Sequence, residues 1–596
     1  MDTTPKQSPA PKPLGFGKTM LASAVGMIIA MQAMAIITFI IISASIASAL
    51  SSGLNDQTPI TGNNLVIELD LTQTIYERKP NEITTLFGER AATSIEQLLH
   101  AVNLAATDNS VNALYLHLGG SNLGWAQAEE LSLALDRFRQ SCDKPVIAYG
   151  EVMSQQEYFL ASSANLVALH PSGVVDFRGI GAEVMFYKGL LDKLGVHMEL
   201  IRPTTCAYKS AGEPYIRTDM SDANREQVRS YITSIWQYTA ATIARNRGIT
   251  PQQVNEIADN LGAYMPQQAC ANHLIDTLCF AQDIKAILHH ASGATKIVKA
   301  NRYANNNPAK TQADRIALIY AEGDVVGGSG DGTQVAVYGD DIVKALHSAA
   351  RDSKVKAIVL RVNSPGGAVT ASEAMTHAVR QAKAVKPVIV SMSGVAASAG
   401  YEISCFATKI VAHPTTLTGS IGVFATVPEI SNLLRQKLGI TTDTVLTNRN
   451  ASAMSLFRPL SAEARAKMQQ GVEDFYITFT QRVADGRGLR RSYVDSIARG
   501  RVWTGLQAKE IGLVDTLGGL PLAMDLAAQA ANIQDYSVKV FPAEKDIWTQ
   551  LMEKVDENQE EEINTRLNAI IPFYSTLRSW STMEPLQARL PFEFRM

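Results

Sequence analysis

The sequence predicts an α/β protein with two tandem copies of one unit and mainly parallel sheets, preceded by one N-terminal transmembrane helix. Three observations indicate this fold class: a long uncharged apolar run, similar segments that recur at a nearly constant offset, and β-branched runs that alternate with helical ones. The 596 residues are 46% hydrophobic and 19% charged, an ordinary globular balance that excludes a mainly disordered chain. The net charge of -3 offers no basic excess for binding nucleic acid.

The apolar run begins near the N-terminus, and no charged residue occurs between Thr19 and Asn55. A spanning helix needs about 20 apolar residues, so the run is long enough to cross a bilayer. We therefore predict a cytoplasmic tail over residues 1–18 and a transmembrane anchor over 19–54. A cleaved signal peptide is the alternative, because residues 47–49 resemble a cleavage site, but its apolar region is usually only about 7–15 residues long.

The charges that flank this run predict its orientation. Lys6, Lys12 and Lys18 precede it, and Asp56 is the first charged residue after it. Under the positive-inside rule the N-terminus lies in the cytoplasm and the rest of the chain lies outside. In a bacterium this corresponds to a single-pass inner-membrane protein whose bulk is periplasmic.

An internal repeat organises the rest of the chain. The paired segments begin at residues 111 and 355, 144 and 386, 170 and 413, 194 and 438, and 275 and 514. Five pairs in the same order, at offsets between 239 and 244, indicate duplication rather than chance. We predict an N-terminal repeat over residues 60–295, a polar linker near 301–308, a C-terminal repeat over 312–535 and a C-terminal extension over 537–596.

Short β-branched runs alternate with helical segments in the second repeat. Residues 316–320, 357–362, 387–390 and 409–412 read as buried strands, whereas 341–350, 371–380 and 454–490 read as helices, with about 220–248 as the counterpart of the last. Such alternation predicts βαβ units and mainly parallel sheets.

A candidate nucleophile follows one of these strands. Ser398 stands among small residues where a strand passes into a helix, a place that exposes a serine to substrate. The backbone N–H of Ala399, with one from the Gly366–Gly367 turn, would then form an oxyanion hole. The first repeat carries Gln155 in the slot of Ser398, so the scaffold itself does not require the serine.

A serine nucleophile needs a base, and the ten histidines do not cluster convincingly. Lysine is the other solution if burial brings its pKa from about 10.4 toward 7 or 8. Lys209 lies among small and apolar residues, although composition alone leaves a surface role open. The five cysteines are scattered without a C-x-x-C pair, so no zinc ribbon or dense disulfide framework is expected, and one disulfide remains possible.

These segments resemble the long, two-repeat bacterial signal peptide peptidases of the protease IV family. The resemblance extends from the anchor to about residue 520, and its more specific parts are Asn363-Ser-Pro-Gly-Gly367, Ala397-Ser398-Ala-Gly-Tyr401, Thr418-Gly-Ser-Ile-Gly422, Arg501-Val-Trp-Thr-Gly505 and Gly512-Leu-Val-Asp515.

The resemblance implies repeats with a fold like that of Clp protease and the crotonases, and a Ser/Lys dyad. On these residues Ser398 is the nucleophile, Lys209 is the general base, and Ser420 is similar to the family serine that helps to hold the lysine amine. Ala399 departs from the glycine that usually follows the nucleophile, but a backbone donor does not depend on its side chain.

We therefore expect a membrane-anchored serine endopeptidase that degrades cleaved signal peptides on the extracytoplasmic side of the inner membrane. It would need no metal or cofactor, bind no nucleic acid and form a closed homo-oligomer, a tetramer, around its sites. A crotonase-like enzyme acting on acyl-CoA is one alternative, disfavoured because CoA is cytosolic. A non-catalytic membrane scaffold is another, disfavoured because only one repeat retains the serine.

Overall fold

In this computed structural model the described residues are 62–78, 93–308, 312–330, 335–542 and 587–589, together with Ile60, Met27, Gln32, Met34 and Ile37. All those from Ile60 onward belong to one compact unit. The predicted anchor lies outside the described residues except at four isolated positions. Among the residues that are described, no helix is long and apolar enough to cross a membrane.

The first repeat is built on a six-stranded parallel sheet in the order β8-β6-β5-β4-β1-β9. The strands up to this point in the chain are β1 (Leu65–Leu71), β2 (Ile75–Tyr76), β3 (Thr93–Ser94), β4 (Val111–Leu118), β5 (Val146–Met153), β6 (Leu166–Val175), β7 (His197–Ile201), β8 (Thr277–Leu278) and β9 (Lys296–Lys299). Strands β2 and β3 form a separate short parallel pair.

The second repeat reproduces this sheet, with the equivalent order β20-β16-β15-β13-β10-β21. Its strands are β10 (Arg315–Glu322), β11 (Asp324–Val326), β12 (Ala336–Tyr338), β13 (Val355–Ser364), β14 (Gly366–Ala368), β15 (Val388–Ala397), β16 (Lys409–Ala412), β17 (Leu417–Gly419), β18 (Ala425–Glu429), β19 (Val502–Thr504), β20 (Thr516–Leu517), β21 (Ser537–Phe541) and β22 (Gln587–Arg589). The α/β prediction with two repeats of parallel sheet is confirmed.

Helices cover the faces of both sheets, so central strands such as β10 are buried on both sides and read as continuous apolar runs. The helices of the first repeat are Ile95–Thr107, Trp125–Ser141, Gln155–Ala161, Lys188–Leu194, Glu213–Ile216, Asp222–Arg247, Pro251–Asp259, Pro266–Ala271, Ile284–Ser292 and Ala300–Asn306. Those of the second are Gly339–Arg351, Val369–Lys383, Ala399–Glu402, Ala462–Arg487, Arg491–Ile497, Gly505–Glu510 and Leu520–Ala530.

The two longest helices are equivalent and share their capping chemistry. Asp222–Arg247 starts after the N-cap Ser221 and stops at Gly248, while Ala462–Arg487 starts after Ser461 and stops at Gly488. In both, the serine side chain accepts a hydrogen bond from a first-turn N–H, and the left-handed glycine ends the helix.

The linker region and the repeat boundaries differ in detail from the sequence prediction. The stretch 301–308 was expected to be a polar linker, but most of it lies in the helix Ala300–Asn306, which buries Tyr303. Strands β9 and β21 extend the two sheets to residues 299 and 541. All five cysteines lie within the described ranges and are free thiols.

The two repeats are joined by an arm from each. Strand β7 of the first repeat pairs antiparallel with β18 of the second, from Ala425 opposite Ile201 to Glu429 opposite His197. The chain that follows β7 is thereby brought against the second repeat.

A buried ionic cluster also joins the repeats. Arg361 of β13 is 1% exposed and binds two carboxylates of the first repeat, Glu77 at 3.0 Å and Glu130 at 2.6 Å. Burial by itself would raise the pKa of Glu130, but Arg361, His413 and the backbone N–H of Leu520 together outweigh that effect and lower the pKa to about 2. His413 lies in the same cluster, with its Nε2 3.7 Å from Glu130.

Candidate active site

Ser398 occupies a sharp turn between a strand and a helix, as its sequence context suggested. Strand β15 ends at Ala397 and a short helix starts at Ala399, which leaves Ser398 at φ 57° and ψ -117°. Positive φ is unusual for a residue other than glycine and costs roughly 1–3 kcal/mol. Its N–H donates to the Gly419 carbonyl at 2.8 Å, which fixes the turn.

The same turn needs a glycine two residues later. A Cβ on Gly400 would lie 2.7 Å from the carbonyl oxygen of Ser364, too close for any side chain. The helix that follows Ser398 therefore packs directly on the end of β13, next to the Gly366–Gly367 turn.

Lys209 reaches Ser398 from the first repeat, across 189 positions of the chain. Its Nζ lies 2.7 Å from Ser398 Oγ, 2.9 Å from the Ser420 carbonyl oxygen and 3.0 Å from Ser420 Oγ. A neutral amine has two hydrogens and one lone pair. If it donates both hydrogens to Ser420, the lone pair is left to accept the proton of the Ser398 hydroxyl.

Burial sets the charge state of this amine. The Lys209 side chain is 0% exposed, and loss of hydration lowers its pKa from 10.5 to about 7, while Cys206 opposes the shift. Among the described residues, the hydrogen-bond partners of the amine are the Ser398 and Ser420 hydroxyls and the Ser420 carbonyl. At neutral pH a large fraction of Lys209 is therefore unprotonated and able to act as a base.

The N–H groups proposed as oxyanion donors are not equally free to bind an oxyanion. Ala399 is the first residue of its helix, so its N–H has no acceptor within that helix. The N–H of Gly366 already donates to Ser364 Oγ at 3.2 Å. Gly367 has φ 154° and packs on Val325 of β11 too tightly for a side chain.

In the first repeat the corresponding place is filled by its own side chains. The amide of Gln155 accepts from the N–H groups of Arg178 and Gly179 and donates to the Gly179 carbonyl, all within 3.0 Å. Glu157 accepts from the N–H of Gly119 at 3.2 Å, in the turn equivalent to that of the second repeat. Glu157 thus closes the turn of the first repeat that corresponds to the Gly366–Gly367 turn of the second.

Of the two glycines that pack against Lys209, Gly500 was not singled out from the sequence, and Gly422 entered only as the last residue of a family motif. A Cβ on Gly500 would lie 2.6 Å from both Cβ and N of Lys209, and one on Gly422 would lie 3.4 Å from Lys209 Cδ. Gly500 immediately precedes the Arg501-Val-Trp-Thr-Gly505 motif, which was the available signal.

Comparison with known proteins identifies the family to which this chain belongs. The model of Peptidase family S49 matches residues 138–295 and 380–534, more than half of the chain. The chain belongs to peptidase family S49. A Clp protease family model also matches residues 312–417 of this S49 protein.

Curated relatives of this S49 protein cover most of its length. It is 37% identical to Protease 4 of Salmonella typhi over 494 residues, which is 80% of this chain and 79% of the relative. It is 32% identical to Protease 4 of Haemophilus influenzae over 536 residues, 84% of this chain and 86% of the relative. A chloroplastic serine protease SPPA of Arabidopsis thaliana is 28% identical over 475 residues, 78% of this chain and 69% of the relative. The protein is thus an S49 serine protease, a homologue of the long protease 4 enzymes.

Proposed function

We propose that this S49 protease cleaves peptide bonds with Ser398 as nucleophile and Lys209 as general base. The observation that carries the proposal is the 2.7 Å separation of Lys209 Nζ and Ser398 Oγ in a site where the amine is wholly buried. The arrangement has the two parts that covalent acyl transfer needs, a nucleophile and a base within hydrogen-bond distance.

The proposed reaction has two halves. Lys209 takes the hydroxyl proton as Ser398 Oγ attacks the scissile carbonyl, and the resulting ammonium returns that proton to the leaving amine. In the second half, water attacks the acyl-serine and Lys209 takes a proton from that water. Lys209 returns this proton to Ser398 Oγ when the acid product leaves. During both halves the N–H of Ala399 and a glycine N–H of the 366–367 turn would hold the oxyanion.

The edge of β14 supports an extended peptide as substrate. The tail strand β22 pairs with it in antiparallel fashion, with Gly367 opposite Ala588. This edge adjoins Ser398, because the helix after Ser398 packs on the residues just before β14. A substrate strand that replaced β22 would gain main-chain hydrogen bonds beside the nucleophile.

The substrates we propose are signal peptides already cleaved from their precursors, degraded on the extracytoplasmic side of the bacterial inner membrane. The uncharged run over residues 19–54 supports one membrane anchor with a cytoplasmic N-terminus. An apolar peptide released into the bilayer would meet an enzyme held at the same membrane. We further propose a closed homo-oligomer, a tetramer, that encloses the sites.

The test uses the full-length protein in detergent with a fluorophosphonate probe and a synthetic signal peptide. The wild type should be labelled at Ser398, located by mass spectrometry, and should cleave the peptide. Ser398→Ala and Lys209→Ala should lose cleavage, whereas Ser172→Ala, at an exposed serine of the first repeat, should retain it. Cleavage by Ser398→Ala at the wild-type rate, or labelling of another residue, would reject the proposal.

A further inference from the structure

The segment that carries Lys209 is held by side chains of both long helices. Near its start, Gln469 donates to the Arg202 carbonyl at 2.9 Å and Glu473 accepts from the Thr204 N–H at 2.8 Å. Near its end, Arg202 donates to the carbonyl of Lys209 itself at 2.7 Å. The backbone around Lys209 is therefore fixed by bonds other than those of its own amine.

Gln227 bonds to both residues that flank Lys209 in the sequence. It lies on the helix Asp222–Arg247, and its side chain is 0% exposed. Its Nε2 is 2.9 Å from the Tyr208 carbonyl oxygen and 3.0 Å from Ser210 Oγ, the two neighbours of Lys209 in sequence. Its Oε1 accepts from the N–H of Val502, a residue of the second repeat, at 3.2 Å.

Val502 belongs to the strand that supports the other side of the dyad. The residue before it, Arg501, accepts a hydrogen bond through its carbonyl from the N–H of Ser420 at 2.7 Å, and Ser420 binds the lysine amine. One buried amide thus links the backbone beside Lys209 to the strand that positions Ser420.

A second contact links the same two segments. The Arg501 guanidinium stacks over the ring of Tyr208 at 4.9 Å and over that of Trp503 at 4.5 Å, and it pairs with Glu226 at 2.9 Å. This contact reaches the protein surface, whereas Gln227 is enclosed. Gln227 is therefore the fully enclosed side-chain link of the two, beside the hydrogen bond from the Tyr208 N–H to the Arg499 carbonyl at 3.2 Å.

We propose that Gln227 is a positioning residue of the proteolytic reaction, which holds the Tyr208–Ser210 backbone against the second repeat so that Lys209 Nζ stays within hydrogen-bond distance of Ser398. The inference rests on the proposed function of the dyad. The amide is suited to this role because its donor end faces a carbonyl and a hydroxyl while its acceptor end faces an N–H. A carboxylate of the same shape offers only acceptors, so Gln227→Glu places an oxygen against the Tyr208 carbonyl.

The test compares Gln227→Glu with Asn246→Asp, an equally conservative change on the same helix. Asn246 also donates from its amide, to Ser162 and Ser163, but both partners lie in the first repeat far from Lys209 in sequence. Peptide cleavage by the full-length proteins is measured as kcat and KM from pH 6 to 10, and fluorophosphonate labelling of Ser398 is followed over the same range.

For Gln227→Glu we expect kcat to fall at least tenfold at pH 7.5 with KM within twofold of wild type. We also expect the pH at half-maximal labelling to rise by one unit or more, because a loosened Lys209 regains water and its pKa returns toward the ordinary value. Asn246→Asp should leave both unchanged. Gln227→Met, which keeps the length of the side chain without either hydrogen bond, should show the same shift and serves if the glutamate variant does not fold.

The positioning role would be overturned by wild-type kinetics in Gln227→Glu. It would also be overturned if kcat fell equally in Gln227→Glu and Asn246→Asp with no shift in pH dependence. Failure of the dyad itself is distinguishable, because the wild type would then not be labelled at Ser398.

Discussion

Substitution of Gly500 by alanine is a direct test of how tightly Lys209 must be placed. The new Cβ would lie 2.6 Å from Lys209 Cβ, whereas ordinary contacts of this kind begin near 3.4 Å. The contact involves backbone atoms of Lys209 as well, at 2.6 Å from N and 2.7 Å from Cα, so rotation of the side chain cannot relieve it. The backbones of Lys209 and Gly500 must therefore move apart by about 0.8 Å, the difference between 3.4 and 2.6 Å.

A displacement of that size along the line between Lys209 Nζ and Ser398 Oγ would lengthen their separation from 2.7 Å to about 3.5 Å, beyond the usual hydrogen-bond range. Misplacement of a catalytic group by about 1 Å costs about 100-fold in rate, or about 2.7 kcal/mol. We therefore expect kcat/KM for a signal peptide to fall by about two orders of magnitude in Gly500→Ala, while circular dichroism stays that of the wild type.

Gly488→Ala is the matched control. Gly488 also has positive φ, 66° against 78° at Gly500, but a Cβ there meets nothing within 4 Å. Both variants share the cost of a left-handed alanine, roughly 1–2 kcal/mol of stability, and only Gly500→Ala displaces Lys209. A kcat/KM within twofold of wild type in Gly500→Ala, or an equal loss in Gly488→Ala, would refute the reasoning.

The other predictions concern the base, the ionic cluster and the tail. Since the pKa of Lys209 is about 7, kcat/KM should fall about tenfold per pH unit below pH 7 and level off above it. Lys209→Arg should be inactive at every pH, because a guanidinium does not give up its proton. Activity of that variant near the wild-type level would point to another base. Glu130→Ala leaves the buried Arg361 with one carboxylate fewer and should lower the free energy of unfolding by about 3–5 kcal/mol, seen as a lower midpoint of thermal unfolding; an unchanged midpoint would contradict the role of the cluster. Because the folded pKa of Glu130 is about 2, below the usual 4.5, its contribution in the wild type should persist above about pH 4.5 and be lost as pH falls toward 2. A chain that stops after Pro542 lacks β22, so the KM of a peptide substrate should fall at unchanged kcat, and an unchanged KM would show that the tail does not compete for the β14 edge.

Local patterns predicted the centres of elements better than their ends. Residues 387–390 are predicted to form a strand. Strand β15 continues beyond them to Ala397, because its last three residues pair with the neighbouring strand β17. The helix expected over 454–490 spans Ala462–Arg487, between a serine cap and a left-handed glycine. The helix Ala300–Asn306 has a polar sequence, and its packing through Ala300, Tyr303 and Ala304 makes it part of the first repeat.

The duplication, the parallel sheets and the place of Ser398 at the end of a strand could be predicted from the sequence alone, because each is written in apolar periodicity or in short motifs of neighbouring residues. The sequence also marked Lys209 as a lysine among small and apolar residues, but this left a surface role open, and the role of base came from the resemblance. Burial and position, the two properties that would let that lysine act as a base, come only from the folded arrangement. Its low pKa comes from exclusion of water by residues of both repeats, and its place beside Ser398 comes from contacts between the repeats, among them the antiparallel pairing of β7 with β18. The roles of Gly500 and Gln227 become visible only in the folded structure, because steric contact and hydrogen bonding act between atoms that folding brings together across hundreds of residues.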